Sequence, residues 1–365
     1  MPPSTPGKIS LPSPAVIRRG VRWFVLFTVA GVILSLWWKS SANLLEVLTH
    51  LNGSAVALLL PLGLLDSLLG GLRYRLFFDG KVLPKISLWD NMRANWANMF
   101  MGAATPFQTG GGPAQFYILW RCGAKVSQSV LVSTINFAAT LIFFQAASLF
   151  AMLALPPGLF GANIVYAVKT AFWVVGTITA AVFFLLLFPR QSAGVISLIS
   201  GIIPARFRRL HRLKERGLEK LRQGSASFGS DFREILRIKK GTLFLTVITT
   251  LALFFNKFLI GYVIARALQQ AVDLTTFFGL QILHFFLIYF APTPGASGIA
   301  EVSSVWLMAK VLPVEILLIY TVAWRFFTTY LGALAGSVVL VRETRGLGVG
   351  REATNQLERK WPPLH

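Results

Sequence analysis

Charge is scarce in this chain: charged residues make up 13% of its 365 residues, against 55% hydrophobic. A soluble domain carries about 25% charged residues, so a water-soluble globular fold is excluded. Acids are rarer still, 14 Asp and Glu against 35 Lys and Arg, and no dense carboxylate cluster is present. The lone cysteine, Cys122, excludes an internal disulfide framework. The four histidines, at positions 50, 211, 284 and 365, share no metal-ligand spacing. There is no GxSxG, and the GGGP run at Gly110–Pro113 lacks the Lys-Ser/Thr of a P-loop. No cofactor or metal is expected, and no catalytic residue set emerges. Strict alternation over segments of about ten residues is also missing, which argues against a membrane barrel.

Long apolar runs are what the chain does have. Windows exceeding the roughly 18 apolar residues of a membrane span fall at Val21–Trp38, Ser54–Leu72, Val126–Leu155, Ile164–Phe188, Thr242–Leu268, Leu274–Ala291 and Pro313–Val341. Only helices satisfy their own backbone in lipid without closing into a barrel. The expected fold is therefore an all-α polytopic membrane protein of about seven transmembrane helices. Val21–Trp38 follows a long Pro-rich leader and ends in Trp-Trp-Lys, so it reads as a retained first span and not as a signal peptide.

The net charge of +21 would fit nucleic acid, but its distribution does not. Most Lys and Arg fall in Met1–Arg22, Arg73–Arg93, Arg121–Lys125, Pro189–Lys240 and Arg342–His365. Alternate connections are thus basic, which places both termini and the 189–240 loop in the cytoplasm. No basic-aromatic nucleic-acid module is present. Residues 1–20, rich in Pro and Ser, read as a disordered leader, 21–342 as the membrane domain, and 343–365 as a short cytoplasmic tail. Within the loop, Arg206–Arg222 has the pattern of a basic amphipathic helix lying on anionic headgroups, or of a docking site for a regulator.

Two stretches break the helical pattern. Ala104–Phe116 reads ATPFQTGGGPAQF, and Ala291–Val302 reads APTPGASGIAEV. Ahead of the first, Trp89, Met92, Trp96, Met99 and Phe100 share one side of a helical wheel while Asn91, Asn95 and Asn98 occupy the other. Basic residues flank this unit at both ends, Arg93 before and Arg121 and Lys125 after, so it is expected to enter and leave on the same side. The second unit is expected to enter from the outside. Two broken re-entrant hairpins of opposite sense are the trace of an inverted repeat with a site near the midplane. Each second arm starts at a glycine break, where a helix N-terminus favours phosphate or carboxylate.

Intramembrane charge supplies the other candidates. Arg325 lies mid-span with Thr321, Thr328 and Thr329 around it, and Gly332 and Gly336 allow a close helix approach. It is expected to meet an anionic headgroup or Glu301, which itself sits where a carboxylate caps a helix. Asp66 is expected to pair with Lys257, and His284 to make an interhelical hydrogen bond; a proton relay through the three is the sharper alternative. Candidate headgroup-binding residues are Asn98, Thr105, Gln108, Gly110, Gly111, Gly112, Gln115, Thr293, Gly295, Gly298, Glu301 and Arg325.

The two motifs, Asn98 with Thr105-Pro106 and Gly110-Gly111-Gly112-Pro113-Ala114-Gln115-x-Tyr117, and Pro292-Thr293-Pro294-Gly295-x-x-Gly298-x-x-Glu301 followed by Arg325, resemble the flippase-like transmembrane domain of the lysylphosphatidylglycerol synthetases. The resemblance covers roughly residues 20–342. It implies a bundle with two re-entrant helices that moves a polar lipid between leaflets, in the inner membrane of a bacterial cell. Two departures stand out: the chain is too short for the cytosolic aminoacyl-transfer domain, and Gly112 replaces the Glu or Gln of many relatives. The expected ligand is a membrane phospholipid or polyprenyl-phosphate lipid, with a separate lipid-modifying enzyme as a further partner and oligomers allowed. Two alternatives stay open: an intramembrane enzyme of phospholipid or polyprenyl-phosphate metabolism using Glu301 or Asp66 as base, and a scaffold for a separate lipid synthetase.

Overall fold

A computed structural model describes residues 50–105, 108–155, 162–188, 229–289 and 291–343, together with positions 22, 26, 29 and 191. The leader, nearly all of the expected first span, the Arg206–Arg222 segment and the tail beyond 343 lie outside the described residues. Among those described there is no strand. Among the described residues nine principal helices follow one another: α1 (Gly53–Arg75), α2 (Leu88–Ala104), α3 (Gly111–Arg121), α4 (Val126–Ala154), α5 (Ala162–Leu187), α6 (Lys240–Ala267), α7 (Leu274–Tyr289), α8 (Ile299–Met308) and α9 (Val314–Glu343). A short helix over 229–238 precedes α6.

Of these, α1, α4, α6 and α9 are long and apolar enough to cross a membrane. Helix α7 and the Phe172–Phe184 portion of α5 are apolar but shorter. The exposed faces of the long helices are themselves apolar, as Leu60 and Leu64 on α1 and Phe244 and Phe255 on α6 show. Such a helix suits lipid on one side and protein on the other.

The termini are fixed by local chemistry. The Asn52 side chain accepts from the Ser54 and Ala55 amides at the start of α1, at 3.2 and 3.3 Å. The Ser87 hydroxyl accepts from the Asp90 amide at 3.0 Å to start α2. Asn52 also donates its own amide to the Ala267 carbonyl (2.9 Å), so the start of α1 abuts the end of α6. At the other end of the bundle Lys239 meets Asp79 at 2.6 Å and the Phe77 carbonyl at 3.1 Å. Glu343, at the end of α9, accepts from Arg93 on α2 at 2.6 Å and lies 3.9 Å from Arg121 on α3. Both arms of the α2–α3 unit thus reach one carboxylate.

Glycines set the closest helix contacts. Gly70 and Gly71 of α1 face Asn95 and Met92 of α2, while Gly332 and Gly336 of α9 face Met99 and the Trp96 backbone. This is small-residue packing, and it holds α2 between α1 and α9. One apolar cluster surrounds α2 and α3, including Phe77, Ala97, Phe100 and Leu131. A second surrounds α7 and α8, including Phe144, Phe254, Phe286 and Trp324.

Candidate functional site

The two breaks are built differently. After Ala104 the backbone turns extended at Thr105 (φ −129°). The Thr105 hydroxyl donates to the Met101 carbonyl at 2.7 Å and accepts from the Gly110 amide at 2.8 Å, so one side chain ties the end of α2 to the start of α3. A Cβ on Gly110 would stand 2.8 Å from Thr105 Cγ2, and one on Gly111 would run into Asn98. The glycines therefore permit the crossing, as a turn this tight demands.

In the second break Gly295, Ala296 and Gly298 take φ values of 57°, 58° and 84°. The Gly298 amide donates to Glu301 Oε2 at 2.6 Å. A carboxylate at the third position reaching back to the cap is half of a capping box, and it occupies the start of α8 with charge from the protein itself. His284 of α7 reaches the Ala300 carbonyl at 3.1 Å, tying α7 to α8.

The breaks touch. Gly295 lies against Ala103, with room for a Cβ only 3.2 Å from the Ala103 Cα. Around this junction is a cavity of about 410 Å³, walled by α1, α2, α3, α4, α6, α7 and α9. Three of its lining residues are cations, Arg73, Lys257 and Arg325, and none is acidic.

Arg325 is 2% exposed. It donates to the Gly295 carbonyl at 2.9 Å and sits 3.3 Å from Glu301 Oε1, with Tyr330 under its guanidinium. It thereby fastens α9 to the second break. Immediately after it α9 widens into a π turn over Phe326–Tyr330, a departure that tends to mark functional positions. Lys257 of α6 is 2.8 Å from Asp66 of α1 and reaches the Thr328 carbonyl in that π turn at 3.4 Å. Arg73 is bound differently: its guanidinium donates to the Asn136 carbonyl at 2.6 Å and the Thr140 hydroxyl at 2.8 Å, both neutral oxygens of α4.

Of the residues singled out from the sequence, Asn98, Gln108, Gly112, Gln115, Gly295 and Arg325 line the cavity. Asn98 donates to Gln115 Oε1 at 2.8 Å. Gln108 adopts φ 56°, a left-handed conformation uncommon for its type. Thr105, Gly110, Gly111, Thr293, Gly298 and Glu301 stand behind the wall, where the contacts of Thr105 and Glu301 shape the breaks. Of the polar helix face expected on α2, Asn95 and Asn98 line the cavity. Asn91 is instead buried against the Ile86 and Ser87 carbonyls (3.3 and 2.9 Å).

Sequence reasoning missed Arg73, counted there with a basic turn; α1 runs on to Arg75, which carries Arg73 into the wall. It also missed the face of α4 formed by Ser133, Asn136, Phe137 and Thr140. The signal was present as polar residues at i, i+3 and i+7 within an apolar span.

A family model of the lysylphosphatidylglycerol synthase transmembrane region matches residues 23–336. A UPF0104 membrane protein of Archaeoglobus fulgidus is 23% identical over 266 residues, covering 70% of this chain and 76% of its own. No solved structure matches.

Proposed function

The chain belongs to the lysylphosphatidylglycerol synthase transmembrane-region family, a multi-pass membrane protein on that evidence and on its apolar helices, and from this premise we propose that it carries a phosphate-bearing or otherwise anionic polar lipid between membrane leaflets. The observation that supports the reading most is the cavity where the breaks touch, with three cations and no acid on its wall.

The α2–α3 and α7–α8 units would be re-entrant hairpins inserted from opposite faces. Arg93 and Arg121 near one carboxylate favour this for the first unit. For the second, α7 starts soon after α6 ends beside Asn52, at the opposite end of the bundle. With the apolar helix of α5 and the Val21–Trp38 segment, the long helices would make six full crossings, and α7, an arm of the second hairpin, brings the apolar membrane helices to about seven. Broken backbone at membrane depth is tolerated where it lines a cavity. The headgroup would sit in the cavity against Gly112 and Gly295, beside the break that Arg325 fastens, while the tails stay in the bilayer.

An enzymatic alternative needs Glu301 or Asp66 as a free base. Both carboxylates are already engaged, by Arg325 and Gly298 and by Lys257, so the geometry favours transport. The test is reconstitution into liposomes with fluorescent phospholipids of several headgroup classes. Faster exchange between leaflets than in protein-free vesicles is expected, and Arg325→Ala should slow it. If the wild type is no faster than empty vesicles for any class, the reading fails.

A further inference from the structure

We propose that Arg73, not Arg325 or Lys257, is the cation that captures the ligand's anionic group, with Gln115 and Ser133 as its partners. The inference rests on the lipid-carrying reading for its setting, though its test is a binding measurement that stands apart from transport.

The cavity's cations differ in what neutralises them. Lys257 has Asp66 at 2.8 Å and Arg325 has Glu301 at 3.3 Å. Arg73 forms no ion pair among the described residues, and both of its hydrogen bonds go to uncharged oxygens. Its Nε is buried and has no acceptor. An arginine stays charged whatever its surroundings, and a charge away from water is costly unless paired. The fork that Arg presents matches a phosphate or carboxylate.

A second, independent observation comes from the same cavity. Gln115, at 0% exposure, has an unpartnered Nε2, and Asn136, at 3%, an unpartnered Oδ1. The Ser133 hydroxyl is buried and unpartnered as well. All of them line the cavity with Arg73. Buried polar groups are satisfied in the great majority of cases, so four unpartnered polar atoms on residues lining one cavity mark where a ligand completes the bonding. The set has a definite chemistry: Arg73 Nε, Gln115 Nε2 and Ser133 Oγ donate, and Asn136 Oδ1 accepts. It fits a phosphate ester that carries a neighbouring hydroxyl or ammonium donor. Such a group occurs in lipid headgroups and in soluble phosphate esters alike.

The experiment is ligand binding by native mass spectrometry on the full chain in detergent, with phosphatidylglycerol, diacylglycerol and glycerol phosphate as probes. Wild type should prefer phosphatidylglycerol to diacylglycerol by about tenfold or more, the value of a charge-assisted hydrogen bond. Arg73→Gln should erase that preference. Gln115→Glu keeps an acceptor for Asn98 but sets a carboxylate on the cation's wall, so it should erase it too; it serves as the decisive variant should Arg73→Gln fail to fold. Ser133→Val, which breaks no existing hydrogen bond, should weaken binding several-fold.

Equal binding of phosphatidylglycerol and diacylglycerol by wild type overturns the proposal, and so does an undiminished preference in folded Gln115→Glu. Arg73-dependent binding without any leaflet exchange keeps this inference and removes the transport reading. Arg73-dependent binding of glycerol phosphate as tight as that of the lipid supports the site and assigns it a soluble phosphate ester.

Discussion

Gly295 lies against the backbone of Ala103, so that a Cβ there would stand 3.2 Å from the Ala103 Cα and 3.3 Å from its carbonyl oxygen. This is the point where the two broken helix pairs touch, and Gly295 also takes φ 57° and gives its carbonyl to Arg325. Gly295→Ala meets both the left-handed penalty of roughly 1–2 kcal/mol and the close backbone. It should lower the thermal midpoint in detergent and slow leaflet exchange. Ala296→Gly is the control. At φ 58° it trades strain for chain entropy, and stability should move by less than about 1 kcal/mol. Equal midpoints for Gly295→Ala and wild type would show that the breaks do not bear on one another.

Lys257 and Asp66 make a largely buried pair between α6 and α1, with side-chain exposures of 13% and 6%. Removing one partner of such a pair costs roughly 3–5 kcal/mol, because the other charge is left stranded, whereas removing both costs far less. Asp66→Asn and Lys257→Met should each destabilise strongly, and the double variant should recover much of the loss. A thermal double-mutant cycle checks this. Additive losses would mean that the two charges act separately.

This pair was legible in the sequence as two opposite intramembrane charges in need of a partner, and so was the Arg325–Glu301 contact, because lipid leaves ionisable residues few other places to go. The breaks were legible for a related reason: glycine and proline runs interrupt the continuous helix that lipid otherwise demands. Arg73 was not. By composition it belongs to a basic turn, and only the continuation of α1 to Arg75 carries it into the cavity wall. The face of α4 escaped because Ser133, Asn136 and Thr140 are diluted among apolar neighbours; the average polarity of the window hides a stripe that only three-dimensional packing assigns to a side. The capture of the Gly298 amide by Glu301 depends on a side-chain rotamer, which spacing permits but does not dictate.

At the Lys239 end of the bundle, Asp79 is outside the apolar spans and titrates against a buried cation. Burial by itself would raise its carboxyl above the ordinary 3.8, but the hydrogen bonds from Lys239 and from the Lys81 amide, with the Lys239 charge, bring it below that value. A carboxyl depressed on folding adds stability above its unfolded pKa, and that stability is lost as pH falls through the lowered folded value. Thermal midpoints should therefore fall in wild type as the pH drops below about 4. Asp79→Asn should be less stable at neutral pH by roughly 1–3 kcal/mol, leaving Lys239 unpaired, and should lose this part of the acid dependence. Parallel pH profiles for the two proteins would rule the pair out as a contributor.

Cys122, the chain's lone cysteine, follows α3 directly and allows the hairpin geometry to be read by labelling. Burial, and then the Asp90 charge, push its thiol up to about 11. Only about one thiol in a thousand is ionised at pH 8, and since the thiolate is the reacting form, modification by a membrane-impermeant maleimide should be slow there and quicken with each rise in pH. Ser87, exposed just before α2, supplies the comparison as Ser87→Cys in a cysteine-free background, and should react faster. If the α2–α3 unit re-enters, Cys122 and the thiol at 87 label from the same side of sealed vesicles of known orientation. Asp273→Cys and Lys310→Cys, flanking the α7–α8 unit, should both label from the other. A unit that crossed the bilayer would split its flanks between the two sides. That outcome would separate the paired breaks from the inverted arrangement on which a shared headgroup site depends.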